Sequence, residues 1–169
     1  MYRIVVHHIA GRESVNEEVI WEDIMLITAK ILLTIATLGY SAIPLLFDSN
    51  KTHWFNPSWT GHARFHCVWQ VMSYCYIGLI ALFLIWTAGS DVWPLWIAAF
   101  TAGGIYLGFW SAVVLRGVYG GWIVDHVHGV PPFQWNVFGL KFETDANLTL
   151  FTPAVLFVGT SMFALSQIG

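Results

Sequence analysis

Between Thr52 and Gln70 the chain reads THWFNPSWTGHARFHCVWQ, which places three histidines, an arginine and three tryptophans in an otherwise apolar sequence. His62 and His66 are four residues apart. On a helix, side chains at that spacing project from one face, one turn apart. Two kinds of chemistry suit such a pair. Two ring nitrogens can reach one ion, about 2.0–2.1 Å away when the ion is zinc. Without a metal, imidazoles titrate near neutral pH and carry protons, especially beside a carboxylate.

Further donors lie nearby in sequence. His53 precedes the pair, and DHVH at 125–128 adds His126 and His128, with Asp125 as ligand or as the group that orients an imidazole. The candidate metal set is therefore His53, His62, His66, His126 and His128, for zinc or iron; the candidate catalytic set is His62, His66, Asp125 and His126. The H-x3-H spacing lacks the glutamate of H-E-x-x-H, and seven histidines fall short of the eight-histidine pattern of membrane di-iron desaturases. A haem inside a bundle needs axial ligands on facing helices. Only His66 falls within an apolar stretch, so a haem or pigment would have to be held from one side.

The elements that must position these residues are membrane helices. The 169 residues are 57% hydrophobic and 10% charged, with a mean hydropathy of +0.64, whereas soluble domains carry about 25% charged residues. A span needs about 20 apolar residues. Four stretches qualify, Ile24–Phe47, His66–Ala88, Val92–Leu115 and Leu148–Ile168, with Lys30 the one formal charge inside them. The expectation is an all-α, four-helix integral membrane bundle over residues 24–169, preceded by an extramembrane segment over residues 1–23. That segment holds five acidic residues, lacks the pattern of a signal peptide, and opens on MYRIVVHH, a short strand or interfacial stretch in which His7 and His8 are solvated.

Four spans put both termini on one side and both long connections, 48–65 and 116–147, on the other. GSD at 89–91 closes a tight helical hairpin. The histidines therefore share one face. The second long connection is rich in aromatic residues and glycines, as expected of either a lid folded onto the bundle or an anchor at the headgroup layer. Two polar stripes, Lys30-Thr34-Thr37-Ser41 and His62-His66-Gln70-Ser73, suggest a cleft open toward that face; Ser and Thr also serve as glue between helices. Lys30 is expected to snorkel to the tail side, and Gly104 and Gly108 form a small-xxx-small pair suited to close helix approach. Cys67 and Cys75 are about 12 Å apart on one helix and cannot pair.

The block Thr52–Gln70, with the pattern T-H-x-F-N-P-x-W-x-x-H-A-R-F-H, resembles the signature of a family of small polytopic membrane proteins described as a domain of unknown function. The resemblance covers about twenty residues and implies a multi-pass bundle but no reaction. The plan of a helical bundle with a His/acid pocket is also similar to that of emopamil-binding-type membrane isomerases, whose motifs are absent here.

These observations point to a multi-pass membrane enzyme that acts on a lipid, isoprenoid or quinone, as a His-dependent oxidoreductase, isomerase or hydrolase. Gln70, Arg64, Arg116 and Asn56 are the candidate substrate-binding residues. The alternative is a non-catalytic, cofactor- or pigment-contacting subunit of a larger membrane complex; a partner in fixed ratio would favour that subunit, and a lone homo-oligomer the enzyme. No basic run suggests nucleic acid. Lys51, Arg64, Arg116 and Lys141 against Arg3 and Arg12 predict a cytoplasmic loop face.

Overall fold

A computed structural model describes the backbone of residues 2–168 and the side chains of residues 17–168. His7 and His8 lie outside the described side chains. Four long helices dominate: α1 (Tyr2–Tyr40), α3 (Gly61–Thr87), α4 (Trp93–Leu115) and α5 (Ala146–Leu165), with a seven-residue α2 (Ala42–Asp48) continuing beyond α1. Of these, α3, α4 and α5 are each long and apolar enough to cross a membrane. The chain is thus a multi-pass membrane protein.

The all-α expectation needs one correction, because β1 (Phe133–Val137) and β2 (Leu140–Thr144) pair as an antiparallel hairpin. The sequence carries the reason. FQWNV and LKFET alternate apolar and polar residues with period two, and Phe138-Gly139 between them turns the chain with φ of 50° and 85°. Two consecutive positive φ values define the type I′ turn, whose twist matches paired strands.

The first expected span, 24–47, is broken at Ser41. Pro44 has no N–H to give to the Tyr40 carbonyl and its ring crowds that carbonyl. Ser41 also turns its hydroxyl back onto Thr37 O, 2.6 Å away, a bond that bends helices. In contrast, α3 starts five residues earlier than expected, because Thr60 caps it by accepting from Ala63 N at 3.1 Å. His62 and Arg64 are therefore helical.

α1 packs against α3, α4 and α5, and α4 against α3 and α5, so α1 and α4 face each other across the short diagonal of the bundle. Tyr106 on α4 crosses that diagonal and donates to Ala36 O at 2.6 Å. Gly39 makes room for it, since a Cβ there would lie 2.6 Å from the Tyr106 hydroxyl. α3 comes closest to the kink of α1 at Gly78, where a Cβ would lie 2.7 Å from Ser41. The Gly104/Gly108 pair does not mediate close approach as its spacing suggests; neither has a neighbour within 4 Å of a Cβ.

The first polar stripe is used for packing. Lys30 donates to Ala88 O at the end of α3 (2.7 Å), Thr34 to Lys30 O, and Trp86 Nε1 to Thr34 Oγ1 (3.1 Å). A cation at a helix C-terminus is favoured by the carbonyl dipoles gathered there. Cys67 and Cys75 are both free thiols.

Candidate functional site

The connection after α2 folds tightly enough to return a histidine to the helix it has just left. Asn50 Oδ1 accepts from Thr52 N at 2.7 Å, Asn50 Nδ2 donates to Phe47 O at 2.8 Å, and Trp54 N donates to Asp48 O at 3.0 Å. The turn brings His53 Nδ1 to 3.4 Å from Asp48 Oδ1. It is the one histidine–carboxylate contact of this length among the described residues.

The tautomer of His53 follows from its neighbours. Thr52 Oγ1 lies 2.8 Å from Asn50 Oδ1 and 2.8 Å from His53 Nδ1. The amide oxygen only accepts, so the threonine hydroxyl donates to it, and His53 Nδ1–H must donate to the threonine. Nε2 then holds the free lone pair. Trp59 stands edge-on to the imidazole, ring centroids 5.4 Å apart and planes at 90°, and fixes its plane. Burial raises the Asp48 carboxyl above the usual range, and His53 beside it opposes that rise.

Three cavities meet at this histidine. The largest, about 1150 Å³, lies between the helices; Val71, Ile105, Phe109 and Phe151 form apolar walls, and Asp48, His53, His66, Gln70 and Asn147 supply its polar groups. Gly108 lines it without filling it. A second, about 600 Å³, is walled by the 116–147 connection, including Trp122, Asp125 and His126. A third, about 490 Å³, runs from His53 past Pro44 and Phe47 to Pro131, Pro132 and Phe133. His53 and Asn147 border all three. The connection thus folds onto the helix ends in part, as a lid would, while its hairpin projects away.

Below the large cavity, Tyr40, Tyr74, Tyr106, Phe109 and Phe151 form an aromatic floor, with Tyr40 edge-on to Tyr74 and Tyr106 (6.2 and 6.1 Å) and Phe109 stacked on Phe151 (4.4 Å). Such pairs add about 0.5–1.5 kcal/mol each beyond their burial. Gln70 Nε2 donates to Tyr74 OH at 3.2 Å; of the second polar stripe, His66 and Gln70 line the cavity, while His62 and Ser73 do not.

The other expected site residues fall in different places. His62 and His66 meet on α3 with their Nε2 atoms 3.0 Å apart and rings at 88°, close to the roughly 3.3 Å that separates two nitrogens bound to one tetrahedral zinc. His66 borders the large cavity, and His62 is exposed outside it. His53, His126 and His128 do not complete the pair: no group of three His, Cys, Asp or Glu suited to a metal occurs among the described residues. Two donors are a partial ligand set.

Asp125 does not orient an imidazole. Its Oδ1 accepts from Val127 N (2.9 Å) and His128 N (3.1 Å), and its Oδ2 from Asn56 Nδ2 (2.9 Å). The Val127 N–H first, then the Asn56 amide and the His128 N–H, push its carboxyl down to about 2. Asn56, 0% exposed, also donates to Thr52 O and accepts from Ser58 N. With its donors and acceptor engaged, Asn56 is a clamp between the two long connections and leaves no group for a substrate. His126 packs edge-on against Trp122 at 4.8 Å. Arg64 borders none of the three cavities, and Arg116 turns back to donate to Val113 O at 2.6 Å.

Trp59 and Asn147 are site residues that nothing in the sequence singles out, and Asp48 stands out there only as a carboxylate of the loop face, a partner for Arg64 or Arg116 rather than for His53. Asp48 and His53, five residues apart across an Asn and a Thr, carry a signal in that Asn-x-Thr favours the turn that joins them. Asn147 carries none, because it reaches the site only through the docking of α5. No family model matches this chain, and neither a curated protein nor a solved structure matches it.

Proposed function

We propose that this protein is a four-span membrane enzyme that binds a lipophilic substrate in the interhelical cavity and moves a proton with His53. One observation carries the reading: a largely apolar cavity of about 1150 Å³ has the half-buried Asp48–His53 pair on its wall. That shape suits an amphiphile, with its chain along Val71, Ile105 and Phe109 and its polar end at His53, Gln70 and Asn147. α1 is the fourth span. Its exposed residues Ile24, Ile27, Ile31, Ile35 and Leu38 repeat at helical spacing as a lipid-facing stripe.

In this reading Nε2 of His53 takes a proton from substrate or water, and the Asp48 carboxylate stabilises the imidazolium that results. Asp48, which touches no substrate atom, is a positioning residue. His66, one wall across, is the second proton carrier; His62, bonded to it, sets its tautomer. Proton transfer of this kind serves isomerisation or hydrolysis. A metal on the His62/His66 pair would add Lewis-acid chemistry at the mouth of the cavity, and the face that bears these residues is proposed to be cytoplasmic.

The test compares wild type with Gly108→Phe, extracted with native lipid and analysed by mass spectrometry. A Cβ there meets no atom within 4 Å, so the ring has room to start into the cavity that Gly108 lines, and circular dichroism of the variant checks the fold. An amphiphile in fixed ratio with wild type and absent from the variant is expected. The same lipid content in both would remove the cavity as a binding site.

A further inference from the structure

The β1–β2 hairpin is two-faced. Phe133, Trp135 and Val137 lie on one side opposite Thr144, Phe142 and Leu140, while Gln134 and Asn136 lie on the other opposite Glu143 and Lys141. The polar side pairs with itself, Gln134 Nε2 donating to Glu143 Oε1 at 3.2 Å. On the apolar side Phe133 borders the cavity that runs past Pro44 and Phe47, Trp135 stacks on Phe142 at 6.4 Å, and Val137 toward the tip is 42% exposed. At the tip stands Phe138, 102% exposed. Its φ of 50° is one that Gly, Asn or Asp adopts at far less strain.

The position of the hairpin identifies what its exposed apolar residues meet. β2 ends at Thr144, and the next residue, Asp145, caps α5 by accepting from Leu148 N at 2.9 Å. α5 is one of the helices apolar enough to span, so the hairpin is joined to the bilayer surface with no linker between. It is also held there. Trp135 Nε1 donates to Thr144 Oγ1 at 2.7 Å, and that oxygen lies 2.7 Å from Thr149 Oγ1, one turn inside α5. Tryptophan and other aromatic residues favour the headgroup layer, where an apolar body and a polar tip are both satisfied.

We infer that the hairpin lies in the headgroup–acyl boundary of the leaflet that α5 enters, with Phe133, Trp135, Val137 and Phe142 toward the chains, Phe138 as an inserted tip, and Lys141 toward the phosphates. The occupant of the exposed apolar face is lipid rather than a second chain. This inference needs the spanning helices but not the catalytic reading.

The experiment attaches a nitroxide in turn after Asn136→Cys, Val137→Cys and Phe138→Cys, in a Cys67→Ala/Cys75→Ala background, with the protein in phosphatidylcholine nanodiscs. Adjacent residues 136 and 137 sit on opposite faces of β1, so each controls for the other, and circular dichroism checks the helices. Oxygen, which partitions into lipid, should relax the labels at 137 and 138 more than a water-soluble nickel chelate does, with the order reversed at 136. Nickel dominating at all three positions would place the hairpin in water and overturn the inference. Low access of both agents at 137 would place the face against protein and overturn it equally.

Discussion

At the end of the bundle that holds Lys30, Ala29, Ala81, Ala98 and Ala164 are buried together and the helices close on one another. At the end that holds His53, the same helices part around about 1150 Å³. Both ends are made of apolar residues; they differ in size and backbone. Alanines let helices approach, which matters in lipid, where packing rather than hydrophobicity joins helices. Toward His53 the small residue on α4 is Gly108, with no neighbour to approach, and α1 bends away at Ser41 and Pro44. The chain closes the end that holds Lys30 and leaves the other end open, and the open end is where Asp48, His53, His66 and Gln70 stand.

The largest expected effect sharpens that contrast on the side of chemistry. His53→Ala should lower kcat on an accepted lipophile by about 10²–10⁴-fold, the usual contribution of a positioned acid/base, while Lys30→Met at the closed end leaves kcat unchanged. Asp48→Asn should lower the rate less and displace its pH profile, because it removes the stabiliser of the imidazolium and leaves the base. Equal rates for His53→Ala and wild type would refute the proton role. On the side of packing, Gly78→Leu forces a side chain onto Ser41 Cβ, 2.7 Å from where its own Cβ would sit. It should lower stability by about 1–3 kcal/mol, read as the shift in detergent-denaturation midpoint. Gly108→Leu, with open space around it, should lose nothing; if the two glycines responded alike, the packing contrast would fail.

These contrasts were legible in the sequence to different depths. Apolar stretches of about 20 residues announce spans because the bilayer fixes their length, and the position of the connections follows by alternation. The face that gathers the histidines was therefore visible. The pairing within that face was not. His62 and His66 draw attention by their i, i+4 spacing, yet they meet each other at the mouth of the cavity, whereas Asp48 and His53 meet through a turn built by Asn50 and Thr52. Spacing rules describe regular helices; a five-residue irregular turn has no period to read. The hairpin was legible in its alternation but was obscured by Phe138, which lacks the usual residue type for its φ.

The two long connections offer a smaller effect on the same comparison, because the open end depends on the clamp between them. Asn56→Leu would leave Thr52 O, Ser58 N and Asp125 Oδ2 without this partner, a small loss, because water can reach these groups in its place. Acid should imitate it. The Asp125 carboxyl is pushed down from its ordinary value near 3.8 to about 2 in the fold, so its contribution is complete above pH 3.8 and fades as pH falls toward 2. A nitroxide after Val127→Cys should gain mobility over that window, and Asp125→Asn should flatten the response. Unchanged mobility from pH 4 to 2 in otherwise wild-type protein would mean the carboxylate does not hold the connection.

Lys30 gives the smallest effect, and its size is informative. The ammonium donates to Ala88 O, the carbonyl that follows α3, beside the 89–91 turn. That carbonyl ends α3 at the tail side, at the margin of the cluster of small residues around Ala29 and Ala81, whose packing is apolar contact rather than charge. Lys30→Met should therefore cost about 0.6 kcal/mol, the average for a hydrogen bond between membrane helices. A loss several times larger would mean that Ala88 O is sealed from water, and that the closed end is held by a buried cation as well as by the fit of small residues.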